Sequence, residues 1–326
     1  MKKAFANAPV SNPDGVTGIN LHVIVDDVLY IGGTNHKDFI TWGDFDNFKN
    51  SSFGTREERN LTPKAVEAKK LVFHYCIFGH QQTANPSSSG SGENPGNDFR
   101  VTLGTFTNQI GSRDEQAGTF MHELGHNLGL HHGGGDGINY KPNYLSIMSY
   151  SFQFNDLDPN RILDYSRETL PDLDETSLAE NAGIGAWEKT VWRGPDDQLY
   201  TVTGTPAIDW NADGNYGGTV QVNLNNNPIW GYASLSDEIL AGHNDWEHLV
   251  YNFRGTPGFA DGAHPQVADE EITSEIVEAM RTETIIDVSN IEPSSELSIE
   301  VLLGIVFAGI IAIVVVVVLR RRKRRQ

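Results

Sequence analysis

One stretch constrains this chain more than any other: His122-Glu123-Leu124-Gly125-His126-Asn127-Leu128-Gly129-Leu130-His131-His132. Residues four apart on a helix share a face, so the imidazoles of His122 and His126 can reach one metal ion. Glu123 stands beside them, placed to contact a water on that ion rather than the ion itself. Gly129 can take a backbone conformation that other residues resist, ending the helix and turning the chain back to present His132 as a third ligand. Three neutral imidazoles leave Zn²⁺ one open position, the mark of a catalytic rather than a structural site. With the composition of this chain, the full pattern arises by chance in roughly one of ten thousand such chains, so coincidence is set aside. His131 adjoins His132 and reads as a supporting or solvent-facing residue.

A second element agrees with the first. Asn143-Tyr144-Leu145-Ser146-Ile147-Met148-Ser149-Tyr150 follows, with Met148 sixteen residues beyond His132. Together the two elements resemble the metzincin clan of zinc endopeptidases, which pair this histidine pattern with a methionine-containing turn beneath the metal. The resemblance covers about residues 4–260 and is strongest over 118–150. It implies that Met148 forms an apolar floor under the histidines. It also implies that Tyr150 is a further zinc ligand able to swing away and bind the transition state, as in astacins and serralysins. The residue after the third histidine is Gly133, neither the Glu of astacins nor the Asp of adamalysins, so the subfamily and its substrate preference stay open. Cys76 lacks the setting of an inhibitory propeptide cysteine.

Around these motifs the chain reads as an α/β (α+β) catalytic domain. The resemblance implies a twisted mixed sheet beside the zinc-binding helix and the methionine turn. Apolar, β-branched runs predict strands at 19–28, 71–78 and 101–106. A hydroxyl cap followed by proline predicts a helix from Thr62-Pro63. Another helix is expected over 114–130, a short one over 174–182 with Asp174 as its cap, and a last one over 270–281. Residues 85–98, rich in Ser, Gly, Asn and Pro, predict an exposed loop, and 190–230 loops with short strands. The expected layout is a protease domain over 1–265, with subdomains 1–132 and 133–265. A helix and stalk would follow over 266–298.

Charge divides the chain. Acidic residues number 43 against 24 basic, a net of -19, which argues against nucleic acid as a partner. Six of those 24 basic residues lie in the last seven positions, so the remainder carries 18 basic against 43 acidic residues. Just before that tail, 301–319 is uncharged and almost wholly apolar, long enough at ~1.5 Å per residue to cross a bilayer. A transmembrane helix is therefore expected over 299–319, with 320–326 as a basic cytoplasmic tail. That topology puts the catalytic domain outside the cell. No signal peptide is visible after Lys2 and Lys3, and the expectation is a start placed too late. The single cysteine excludes an intrachain disulfide.

The expected activity is zinc-dependent hydrolysis of peptide bonds in extracellular proteins, with Glu123 as base and Tyr150 at the oxyanion. The resemblance also implies that 101–106 is the sheet edge above the cleft, where an extended peptide would pair as an added strand. Two other classes stay open: a non-catalytic surface adhesin on a protease fold, and a different zinc hydrolase such as an amidase. A weaker signal lies at Asp209, Asn211, Asp213 and Asn215, whose oxygen side chains around Gly214 resemble a Ca²⁺ loop, although Val220 stands where such loops carry a bidentate Glu.

Overall fold

The apolar run ending at Gly79 forms a strand, Tyr75–Gly79, as its aromatic and β-branched content predicts. In the computed structural model, which describes residues 1–29, 39–203, 207–257, 259, 261–262, 264 and 271–289, it belongs to a three-stranded mixed sheet. The central strand Asp98–Thr102 runs parallel to it, Tyr75 opposite Asp98 and Gly79 opposite Thr102. Gly90–Gly92 closes the other side antiparallel, Gly90 opposite Val101. Every residue of the central strand is buried, as expected of a strand covered on both faces.

The long helix Arg113–Asn127 packs on this sheet, with Phe120 edge-on to Phe99 at 5.1 Å. Ser112 caps it: the hydroxyl accepts from the Glu115 amide while the Glu115 carboxylate accepts from the Ser112 amide. At the other end Gly129 has φ +89°, and the Leu130 amide donates to Gly125 O at 2.9 Å. That left-handed step stops the helix where the sequence requires.

The second half is built from short strands. A hairpin pairs Lys189–Arg193 with Leu199–Thr203, and Ile285–Asp287 adds parallel to the latter. Leu173–Asp174 pairs with Ile239–Leu240, and Leu178–Ala179 with Thr219–Val220. Their core gathers Trp192, Trp210, Tyr200 and Leu224, and it is continuous with Val101 and Leu103 of the first half, so no break falls near residue 132. The molecule is thus a mixed α/β body with several small sheets.

Several sequence expectations are corrected. Residues 19–28 form no strand; Asp26 instead pairs with Lys69 and Asp27 with Arg59, so carboxylates rather than a ladder hold the segment. The helix expected over 174–182 is two strand fragments, because the Asp174 side chain accepts from the Thr176 amide and hydroxyl in a turn. The loop expected to be exposed, 85–98, carries the strand Gly90–Gly92 and is buried at Ser88, Ser89, Ser91 and Asn97. Small residues there allow close packing: a β-carbon on Gly90 would lie 2.4 Å from Glu123 Oε1. The outer strands of this sheet are Tyr75–Gly79 and Gly90–Gly92, and the region expected at the edge, 101–106, begins in the central strand.

The boundary expected at 265 falls inside the packed body. The last helix is Ser274–Thr282, capped by Thr273, and Ile272, Val277 and Met280 join the main core. Part of the expected stalk is likewise the strand Ile285–Asp287, with Val288 buried beside it. Among the described residues no helix is long and apolar enough to cross a membrane. The span expected over 299–319 and the tail 320–326 lie outside the described residues.

Candidate metal centre

The helix presents His122 and His126 side by side, their Nε2 atoms 3.1 Å apart. Each ring is aimed by its other nitrogen: His122 Nδ1 lies 2.9 Å from Ile147 O, and His126 Nδ1 2.8 Å from Leu130 O. A carbonyl only accepts, so each Nδ1 carries the proton and each Nε2 turns a lone pair inward. His132 arrives from the turn after Gly129, its ring 5.2 Å from that of His122 and 5.0 Å from that of His126. Lys141 steadies this turn by donating to Gly133 O at 2.8 Å and pairing with Asp136. All three histidines are buried, and burial pushes the His132 imidazole down to about 4, which keeps it neutral as a ligand must be.

Glu123 is fully buried, and neither of its carboxylate oxygens has a hydrogen-bond partner among the described residues. Burial, and after it the charge of Glu271, pushes its carboxyl well above the usual range, while Arg100 opposes the rise. Met148 is buried, its sulfur packed against Gly125, which lies between His122 and His126 in the helix. The turn that carries it is held by Asp245, which accepts from Tyr144 Oη at 2.8 Å, from the Ser146 hydroxyl, and from the Ser166 amide at 3.0 Å. The ring of Tyr150 stands 4.6 Å from that of His132 and 5.9 Å from that of His122.

One residue of the site is absent from the sequence reading. Glu271 projects its carboxylate among the histidines, Oε2 at 3.1 Å from His122 Nε2 and 3.6 Å from His132 Nε2, Oε1 at 3.2 Å from His126 Nε2. Ligand atoms of these four residues all lie within 4.8 Å of one another. Nothing local flags Glu271. In sequence it reads as one of the acidic residues that open a helix, whereas in the structure it precedes the Thr273 cap.

The donor set fits a divalent cation. Inward-facing imidazole lone pairs, two of them 3.1 Å apart, and a carboxylate beside them would otherwise meet without a positive charge between them. Such a set of nitrogen and carboxylate donors suits zinc without excluding other first-row metals.

Two other clusters differ. Asp46, Asp98 and His264 lie together, but Lys49 already sits 2.5 Å from Asp98 and 2.6 Å from Asp261, and His264 bridges Asp46 and Glu93. That group is an ion-pair network. In the 209–215 loop, Asp209 accepts from the amides of Asp213 and Gly214, Asn211 from that of Asp213, and Asp213 from that of Asn215. These bonds close the turn on its own side chains.

Comparisons of the chain with protein-family models, with curated proteins and with solved structures find no match.

Proposed function

We propose that the chain is a zinc-dependent endopeptidase. The observation that carries this reading is the convergence of three carbonyl-anchored or turn-held imidazoles beside Glu123, a buried carboxylate with no other work to do in the fold. His122, His126 and His132 would hold the ion, which supplies Lewis acidity toward water and the scissile carbonyl. Glu123 takes the proton of the attacking water and delivers it to the leaving amine. Tyr150, beside His132, hydrogen-bonds the oxygen on which negative charge develops. An extended peptide is recognised by pairing with the backbone of 87–89, which leads into the strand Gly90–Gly92 and which this chain's own Ile272 and Ser274 already use through bonds to Ser89 and Ser87.

The proposal includes attachment to a membrane through 299–319 with the peptidase outside the cell, supported by the uncharged run and the basic tail. The loop 209–215 is kept as a calcium site only as far as its oxygen spacing supports it. A second reading takes support from Glu271. Four protein donors make a closed, structural metal site, and the body would then serve as a non-catalytic surface adhesin.

Glu123→Ala separates the readings. Zinc content should be retained, and cleavage of an unfolded protein substrate should fall by several orders of magnitude. Measured in a Glu271→Ala background, full activity of the Glu123 variant would overturn the mechanism, and zinc-bound protein with no hydrolytic activity even when Glu271 is replaced would favour the adhesin. Cleavage confined to non-peptide amides would point to the amidase-like class.

A further inference from the structure

Glu271 reaches the histidines at the start of a segment that backbone bonds and core packing tie down. Its neighbour Ile272 is fully buried and gives its carbonyl to the Ser89 amide at 2.9 Å. Thr273 bridges Ser88 in antiparallel sense, and the Ser274 amide donates to Ser87 O at 3.0 Å. Thr273 then caps the helix Ser274–Thr282, whose Val277 and Met280 enter the core. At the far end Arg281 pairs with Glu115, in the first turn of the histidine-bearing helix, at 2.9 Å, and with Asp156 at 2.7 Å. The segment therefore lies along the strand edge as an extended peptide would, and it delivers a carboxylate to the point where the imidazoles converge.

We infer that Glu271 is the fourth protein ligand of this metal centre, and that residues 271–274 are a built-in bar occupying both the metal's open position and the peptide-pairing edge. This rests on the metal-site reading above and deepens it. Three imidazoles and one carboxylate would give the ion the four protein donors of a closed site rather than the three that leave a position for water. The same short segment covers the edge amides and carbonyls at 87–89 that a substrate backbone needs. Both blocks lift together if the segment moves, because one stretch of four residues makes both contacts. The centre is in this state a latent one, and its opening requires displacement of a segment that its own helix anchors.

The test uses the full chain loaded with Co²⁺ or Zn²⁺. Glu271→Ala and Glu271→Gln should shift the visible Co²⁺ absorption from that of a closed four-donor site, and weaken zinc in chelator competition by at least about 10-fold. Glu271→Cys supplies a positive signature: a thiolate at this position should give a near-ultraviolet sulfur-to-cobalt charge-transfer band that wild type, with only Cys76, does not show. Peptidase activity at saturating zinc should be higher in Glu271→Ala than in wild type. An unchanged spectrum and unchanged zinc affinity, with no new band in the folded Glu271→Cys protein, would overturn the ligand assignment. Wild-type activity equal to that of Glu271→Ala would overturn the bar. Altered spectra with no peptidase activity in any variant would support the fourth ligand while overturning the peptidase reading, so the two failures are distinguishable.

Discussion

At Gly125, between the two helical histidines, a β-carbon would sit 2.3 Å from Met148 Sδ and 3.1 Å from Tyr165 Cε1. The methionine can therefore pack against the helix between its two histidines only because this position has no side chain. Glu123 depends on the same economy of space at Gly90, where a β-carbon would also meet the Arg100 carbonyl at 2.6 Å, an atom with no freedom to yield. Tyr150 is the residue whose role chemistry must decide, since its ring contact with His132 serves packing and catalysis alike. If its hydroxyl stabilises the oxyanion, Tyr150→Phe should lower turnover by roughly 10- to 1000-fold with little change in KM. Steady-state kinetics, measured in a background where the Glu271 contact is released, checks this; unchanged turnover would leave Tyr150 a core residue.

Among the elements, the methionine turn shows how a local motif relies on a distant support. Asp245 holds Tyr144, Ser146 and Ser166 together from a short helix, Asp245–His248, far along the chain. Burial pushes its carboxyl up to about 6, against the hydrogen bonds that favour the ionised form. Its folded-state value thus exceeds the roughly 3.9 of an unfolded aspartate, so the native protein binds this proton more tightly. The stability it contributes is full below about pH 4 and is lost as pH rises through about 6. Thermal melts from pH 4 to 7 should show wild type declining more steeply than Asp245→Asn. The variant should be less stable overall by about 1–3 kcal/mol, because an amide cannot accept every one of these donors. Parallel melting curves would mean that the carboxylate stays ionised throughout.

For the whole molecule, an ion held by these four residues would act as a staple. It would join the helix Arg113–Asn127, the turn at His132 and the segment at Glu271, which belongs to the main core through Ile272. Binding to the folded state alone stabilises by mass action, about 4 kcal/mol at a thousandfold excess over Kd. Removing metal with a chelator should lower the Tm by several degrees, and adding Zn²⁺ back should restore it. Equal melting temperatures with and without metal would remove the basis for a bound ion. The packed body continues past 265 because Ile272, Val277 and Met280 enter the main core, and with them Glu271 comes to lie beside the histidines.

The grouping of the three histidines was legible in the sequence because its geometry is local. Helical spacing aligns His122 with His126, and Gly129 with its left-handed φ determines where His132 returns. The capped start at Thr62 was equally readable, since a cap is a bond between residues three apart, whereas the last helix, expected from 270, begins only after the Thr273 cap. The sequence alone could not show which strand forms the edge. A Ser- and Gly-rich stretch reads as a loop until its packing partner is known, and residues 87–92 became a pairing edge only through the central strand and the helix behind it. Residues 19–28 fail in the opposite direction, with strand-like composition and no strand beside them. Glu271 is the clearest case: nothing in its neighbourhood distinguishes it from an ordinary helix-opening acid. Only the tertiary structure places it among three imidazoles, because long-range packing of Ile272, Val277 and Met280, and not any local pattern, decides where that carboxylate lies.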